Sequence, residues 1–131
     1  MEINEKARIQ KAWSKSAHDD LNLAKDLFKL KYYSYSLFFC HLALEKLLKA
    51  CFVKTKNTYP APTHKLAKIA KDAEMKLTET QIAYLNEITT FNIEARYDVI
   101  KAKLYKKATK DFAEKYLKIT KELYTHFLSH L

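Results

Sequence analysis

The chain has 131 residues, no glycine, two prolines and two cysteines, enough length for one buried core but few residues suited to tight turns. Strand-rich folds and glycine-lined phosphate loops are disfavoured, because Asn-Gly and Asp-Gly hairpins and the P-loop both need glycine. The 24 Lys and Arg against 15 Asp and Glu give a formal charge of +9, which favours an anionic partner such as a nucleotide, RNA or an acidic protein face, with a merely solubilising surface as the plain alternative.

A first helix is predicted over Asn4 to Leu30. Ala7, Trp13, Ala17, Leu21, Ala24 and Phe28 recur at helical spacings as an apolar stripe, with Trp13 as a core anchor and Asp19 and Asp20 on the far side. Lys31 to Ser34 leads to a second helix, Ser34 to Lys54. Its stretch Leu37 to Phe52, LFFCHLALEKLLKACF, is apolar on nearly every side, as a helix at the centre of a bundle must be. A membrane span needs about 20 apolar residues, whereas Glu45, Lys46 and Lys49 interrupt this one. Met1 to Lys11 is polar and lacks the apolar core of a secretory signal. A soluble, cytoplasmic chain with no membrane association is therefore expected.

The prolines fall in the loop Thr55 to Pro62, where Asn57 suits a left-handed helix cap. Thr63 is the expected N-cap of a short third helix carrying Leu66, Ile69 and Ala70. Thr78 and Gln81 have the spacing of a capping box, so a fourth helix starts there, burying Ile82, Leu85 and Ile88. From Val99 to Lys107 the apolar pattern weakens and lysines accumulate, which predicts a loop. Thr109 then caps a last helix whose stripe is Phe112, Tyr116, Ile119, Leu123 and Phe127. The expected architecture is an all-α, up-and-down four-helix bundle with a short additional helix, forming one domain over residues 1–131.

The clearest functional signal is the set His41, Glu45 and Lys49 at i, i+4 and i+8, sharing one stripe of the second helix beside Lys46. A carboxylate on so apolar a helix needs a partner. Arg96 is the expected one, with Tyr97 adding a ring and a hydroxyl beside it. Such a cluster reads either as a buried clamp that fixes helix register or as the floor of an anion pocket. His64 reads first as a solvent or capping residue.

Cys40 and Cys51 are about 16 Å apart along one helix, too far to bond to each other, and they read as small buried hydrophobes of a reducing compartment. Glu122, His126 and His130 recur at i, i+4 and i+8, but without a fixed further ligand no metal or other cofactor is expected. Lys101 to Glu122 holds eight lysines against three acids. It reads as a solvated face or as a track for a phosphate backbone, with Tyr105 and Tyr116 as stacking rings.

Trp13 with Ala17, Asp20-Leu21 and Ala24, then His41-Leu42-Ala43-Leu44-Glu45-Lys46-Leu47-Leu48-Lys49-Ala50, Pro62-Thr63-His64-Lys65-Leu66 and Ala95-Arg96-Tyr97 together resemble the HEPN domain family over nearly the whole chain. The Arg-Tyr pair resembles the branch associated with minimal nucleotidyltransferases. The resemblance implies a helical bundle with a short extra helix, a homodimer, and binding of nucleotides or RNA. It also implies that many relatives are metal-independent ribonucleases, often toxins, whose site is an Arg followed four to six residues later by His. Here the pattern is broken. Arg96 is followed by Ile100, Lys101, Ala102 and Lys103 over those spacings, and Arg8 by Ala12, Trp13 and Ser14. Without an imidazole, a general acid or base suited to neutral pH is missing.

The expected function is non-catalytic binding of a nucleotide or RNA by Arg96, Tyr97, Lys46, Lys49, His41 and His64, with Glu45–Arg96 as a structural ion pair. The expected partner is a minimal nucleotidyltransferase in a toxin–antitoxin-like module. The alternatives are a divergent ribonuclease using Arg96 with His41 or His64, and a dimeric protein-interaction module without a ligand.

Overall fold

A computed structural model of the chain describes residues 1–93 and 98–131. Among these, six helices and no strand occur: α1 (Ile3–Lys29), α2 (Tyr33–Lys56), α3 (Leu66–Asp72), α4 (Glu79–Thr89), α5 (Asp98–Lys107) and α6 (Lys110–Leu128). The protein is an all-α helical bundle, as the absence of glycine and the helical periodicities predict.

The organising helix is α2, which packs on α1, α3, α4, α5 and α6. Its all-round apolar surface follows from that position, because nearly every face meets another helix. Leu37, Leu44, Leu47 and Leu48 have no exposed surface and share a core with Leu66, Leu85, Ile88 and Phe127. Phe91, Phe112 and Tyr116 close the α4–α6 end, with ring centroids 4.8–5.8 Å apart in tilted and edge-on arrangements, the geometry that aromatic quadrupoles favour.

Helix ends follow local chemistry where the sequence provides it. Thr78 and Gln81 form both hydrogen bonds of the capping box, at 3.0 and 3.1 Å. Thr109 Oγ1 accepts from the Phe112 amide at 3.2 Å. The left-handed positions fall on Lys31 (φ 68°), Asn57 (φ 56°) and Glu74 (φ 61°), each just past a helix end, where glycine is the usual occupant.

Several expectations are corrected. Val99 to Lys107 is not a loop but lies within α5, docked through the buried Leu104. Its signal is faint because the apolar positions of Val99 to Lys107 are spread around the helix among four lysines instead of forming one stripe. The third helix starts at Leu66 rather than after Thr63, and its N-cap Lys65 makes no side-chain cap. Thr63 Oγ1 instead accepts from the Lys65 amide, and the Leu66 amide is satisfied by Thr89 Oγ1 of α4 at 3.2 Å. Ile82 is 40% exposed, because it sits in the first turn of α4, beyond the reach of the core. Trp13 is only half-buried, while Asp20, expected on the solvent side, is buried. Both sit on the flank where α1 meets a polar patch of α2.

Candidate functional site

The helical spacing of His41, Glu45 and Lys49 puts all three on one stripe of α2, where the loop between α2 and α3 crosses it. Glu45 is the centre. Its Oε2 accepts from Lys49 Nζ at 3.1 Å, its Oε1 accepts from His64 Nδ1 at 2.7 Å, and His41 Nε2 stands 3.6 Å from the same Oε1. The Glu45 and Lys49 side chains are 7% and 9% exposed, so each charge depends on the other for solvation. Lys49 Nζ also lies 5.6 Å from the ring centroid of Trp13, which places a cation over an electron-rich face.

His41 is fully buried. Its Nε2 is 3.0 Å from the carbonyl oxygen of His64 and therefore carries the proton, because a carbonyl only accepts. Nδ1 is then a bare acceptor without a partner among the described residues. Burial holds the His41 pKa below its ordinary 6.5, opposed by the hydrogen bond to the His64 backbone and by the Glu45 charge. His41 is thus the neutral member that ties the loop down. His64 is the outward member, its side chain 58% exposed. With Nδ1 donating to Glu45, its Nε2 is the nitrogen left for a ligand.

Lys46 lies on the adjoining stripe. Its Nζ is 2.7 Å from Asp20 Oδ2 and donates to Ser16 Oγ at 2.7 Å. The structure therefore brings together four of the expected site residues, His41, Lys49 and His64 around Glu45, and sets Lys46 beside them against Asp20 and Ser16 of α1. Arg96, Tyr97 and the expected Glu45–Arg96 ion pair lie outside the described residues. Asp20, Ser16 and the position of Trp13 are additions to the sequence reading. Their spacing of three and four residues was the available signal, since 13, 16 and 20 share one helical face.

The remaining candidates separate by burial. Tyr116 belongs to the core and offers no face to a base. Tyr105 is 48% exposed and hydrogen-bonds Tyr35 hydroxyl to hydroxyl at 3.1 Å. Cys40 and Cys51 are buried, which pushes their thiols up to about 12 and about 11. Neither is a nucleophile near neutral pH. Among the described residues no cluster of three metal-capable side chains is found, and no helix is long and apolar enough to cross a membrane.

The sequence model of the HEPN domain matches residues 10–130. The crystal structure of TT1696 from Thermus thermophilus superposes with a TM-score of 0.79 at 19% identity, covering 93% of this chain and 98% of that one, and at that identity it speaks for the fold. Comparison with curated proteins finds no match.

Proposed function

The chain belongs to the HEPN domain family, and on that premise we propose that it binds a nucleotide or RNA without cleaving it. Family membership supports a nucleotide- or RNA-related function in general terms. The single observation that carries the non-catalytic reading is the sequence after Arg96, where Ile100, Lys101, Ala102 and Lys103 leave no imidazole at the expected spacing. Binding is proposed at Arg96 and Tyr97 together with the α2 corner. In this reading His64 offers its outward nitrogen to the ligand, and Lys46 reaches it while sharing its charge with Asp20. His41, Glu45 and Lys49 hold His64 in place. Action as a homodimer beside a minimal nucleotidyltransferase, in a toxin–antitoxin-like module, completes the proposal.

The test is calorimetric titration of the protein with ATP and with a short RNA, in parallel with Arg96→Ala. Binding that the substitution abolishes is the expected result. Unchanged affinity in Arg96→Ala removes the proposed site.

One observation favours a second reading, a divergent metal-independent ribonuclease. The 2.7 Å contact from His64 Nδ1 to Glu45 orients an exposed imidazole as a general base is oriented. His41 cannot serve in that role, since its protonated nitrogen is bound to a carbonyl in the interior. Incubation with bulk RNA in chelator decides the matter. Cleavage lost in His64→Gln supports the enzyme, and intact RNA across substrates removes it.

A further inference from the structure

The lysines fall into two populations. Lys15, Lys46, Lys49, Lys56, Lys68 and Lys107 each face a carboxylate. Most of the others have no ion-pair partner among the described residues, and Lys25, Lys29, Lys118 and Lys121 are four of these. These four line one groove of about 540 Å³ between α1 and α6, with Phe28 and Leu117 as its apolar part and Glu114 as its acid. A second hollow of about 330 Å³ shares Phe28 and Lys29 and adds Lys31, Tyr33 and Lys110. Six lysines thus face one carboxylate along a continuous strip.

Uncompensated like charges on adjoining helices raise the local potential and concentrate anions there. From Lys110 to Lys121 the helical rise covers about 16 Å, the length of a few successive phosphates of a single strand. The geometry points to this strip as the track for the backbone of single-stranded RNA, a site built from other residues than those of the α2 corner. It rests on the RNA reading proposed above and names where a polymer, as opposed to a mononucleotide, would lie. Lysine suits that task, because a compact ammonium on a flexible stem neutralises phosphate without reading sequence. Phe28 and Tyr33, with ring centroids 5.5 Å apart, are half-buried and supply ring faces for bases at one end of the strip. Lys25 and Lys29 are four apart and Lys118 and Lys121 three apart, so each couple shares one face of its helix and all four ammonium groups front the same groove.

The experiment is fluorescence anisotropy of a labelled oligouridylate of about twelve nucleotides across a salt series, with ATP titrated separately by calorimetry. The fourfold variant Lys25→Gln, Lys29→Gln, Lys118→Gln, Lys121→Gln is expected to bind the RNA at least about tenfold more weakly and to lower the salt slope by about 3, with ATP binding unchanged. The pair Lys118→Glu and Lys121→Glu, both exposed, is expected to weaken RNA binding likewise and serves if the fourfold variant does not fold. The control is Lys65→Gln, Lys68→Gln, Lys71→Gln, Lys76→Gln, which removes the same charge around α3 and is expected to keep most of the affinity. Equal loss in the control overturns the track in favour of bulk charge. Undiminished RNA binding by the groove variants overturns the track and leaves the binding function standing. An unaltered protein that binds ATP but no RNA also overturns the track alone, whereas one that binds neither overturns both. Displacement of the RNA by polyglutamate of equal charge overturns the nucleic-acid assignment and makes the strip a seat for an acidic protein.

Discussion

His41 concentrates the chemistry of single residues in this protein. It is fully buried, one nitrogen is spent on the His64 carbonyl, and the other faces no donor among the described residues. The groups facing it are Glu45, Lys49 and His64, and burial is the largest influence on its proton affinity. The unfolded chain protonates this imidazole near pH 6.5, whereas the folded chain resists protonation to lower pH. Over that window the unfolded state binds more protons, so folding stability is full above pH 6.5 and falls as the pH drops toward the folded value. His41→Gln, which keeps an amide donor for the carbonyl, is expected to flatten that acid limb in urea titrations carried below pH 6.5. A limb as steep as that of the unaltered protein would show that other groups carry it. The sequence exposed the stripe itself, since residues 41, 45 and 49 on a helix must share a face. It did not expose the arrival of His64, because that depends on the path of a proline-containing loop whose geometry has no period to read.

At the scale of elements, termini with side-chain signals were legible and those without were not. Thr78 with Gln81 and Thr109 mark their helix starts by hydrogen bonds that only such residues make. The start of α3 carries no such mark, because its first amide is satisfied by Thr89, a residue of another helix. The α5 segment is held by the buried Leu104 amid lysines, too little periodicity to distinguish helix from loop. The missing glycines leave a measurable cost. Lys31 turns the chain between α1 and α2 at φ 68°, in a region that costs a residue with a Cβ about 1–2 kcal/mol. Lys31→Gly relieves that strain, and part of the gain is offset by the greater freedom of glycine in the unfolded chain. The expected net effect is a stabilisation of about 0.5–1 kcal/mol, read as a rise of about 2–5 °C in thermal unfolding. No rise would mean that the Lys31 side chain contributes more than the backbone strain removes.

At the scale of the whole molecule, composition states how much charge there is and folding decides where it goes. The +9 total was legible from the start. The meeting of six lysines along one strip was not, because the α1–α6 strip joins positions about ninety residues apart in the chain. Part of that charge repels itself in the folded state, and added salt screens the repulsion within a Debye length of about 10 Å at 0.1 M. Thermal stability is therefore expected to rise as sodium chloride increases from about 20 to 150 mM. A midpoint that falls over that range would mean that the ion pairs on Glu45, Asp20 and Glu74 outweigh the repulsion.

The two buried thiols carry a consequence of a different kind, for kinetics. Cys40 packs with Ala24, Leu117 and Phe28, beneath the side chains that line the α1–α6 strip, while Cys51 Sγ donates to the carbonyl of Phe127 at 3.5 Å near the end of α6. Neither sulfur can meet an alkylating reagent until its own neighbourhood opens. The chain thus contains two clocks at different addresses, one set by the parting of α1 from α6 and the other by release of the C-terminal turn. An occupant of the strip would slow the first clock and leave the second running.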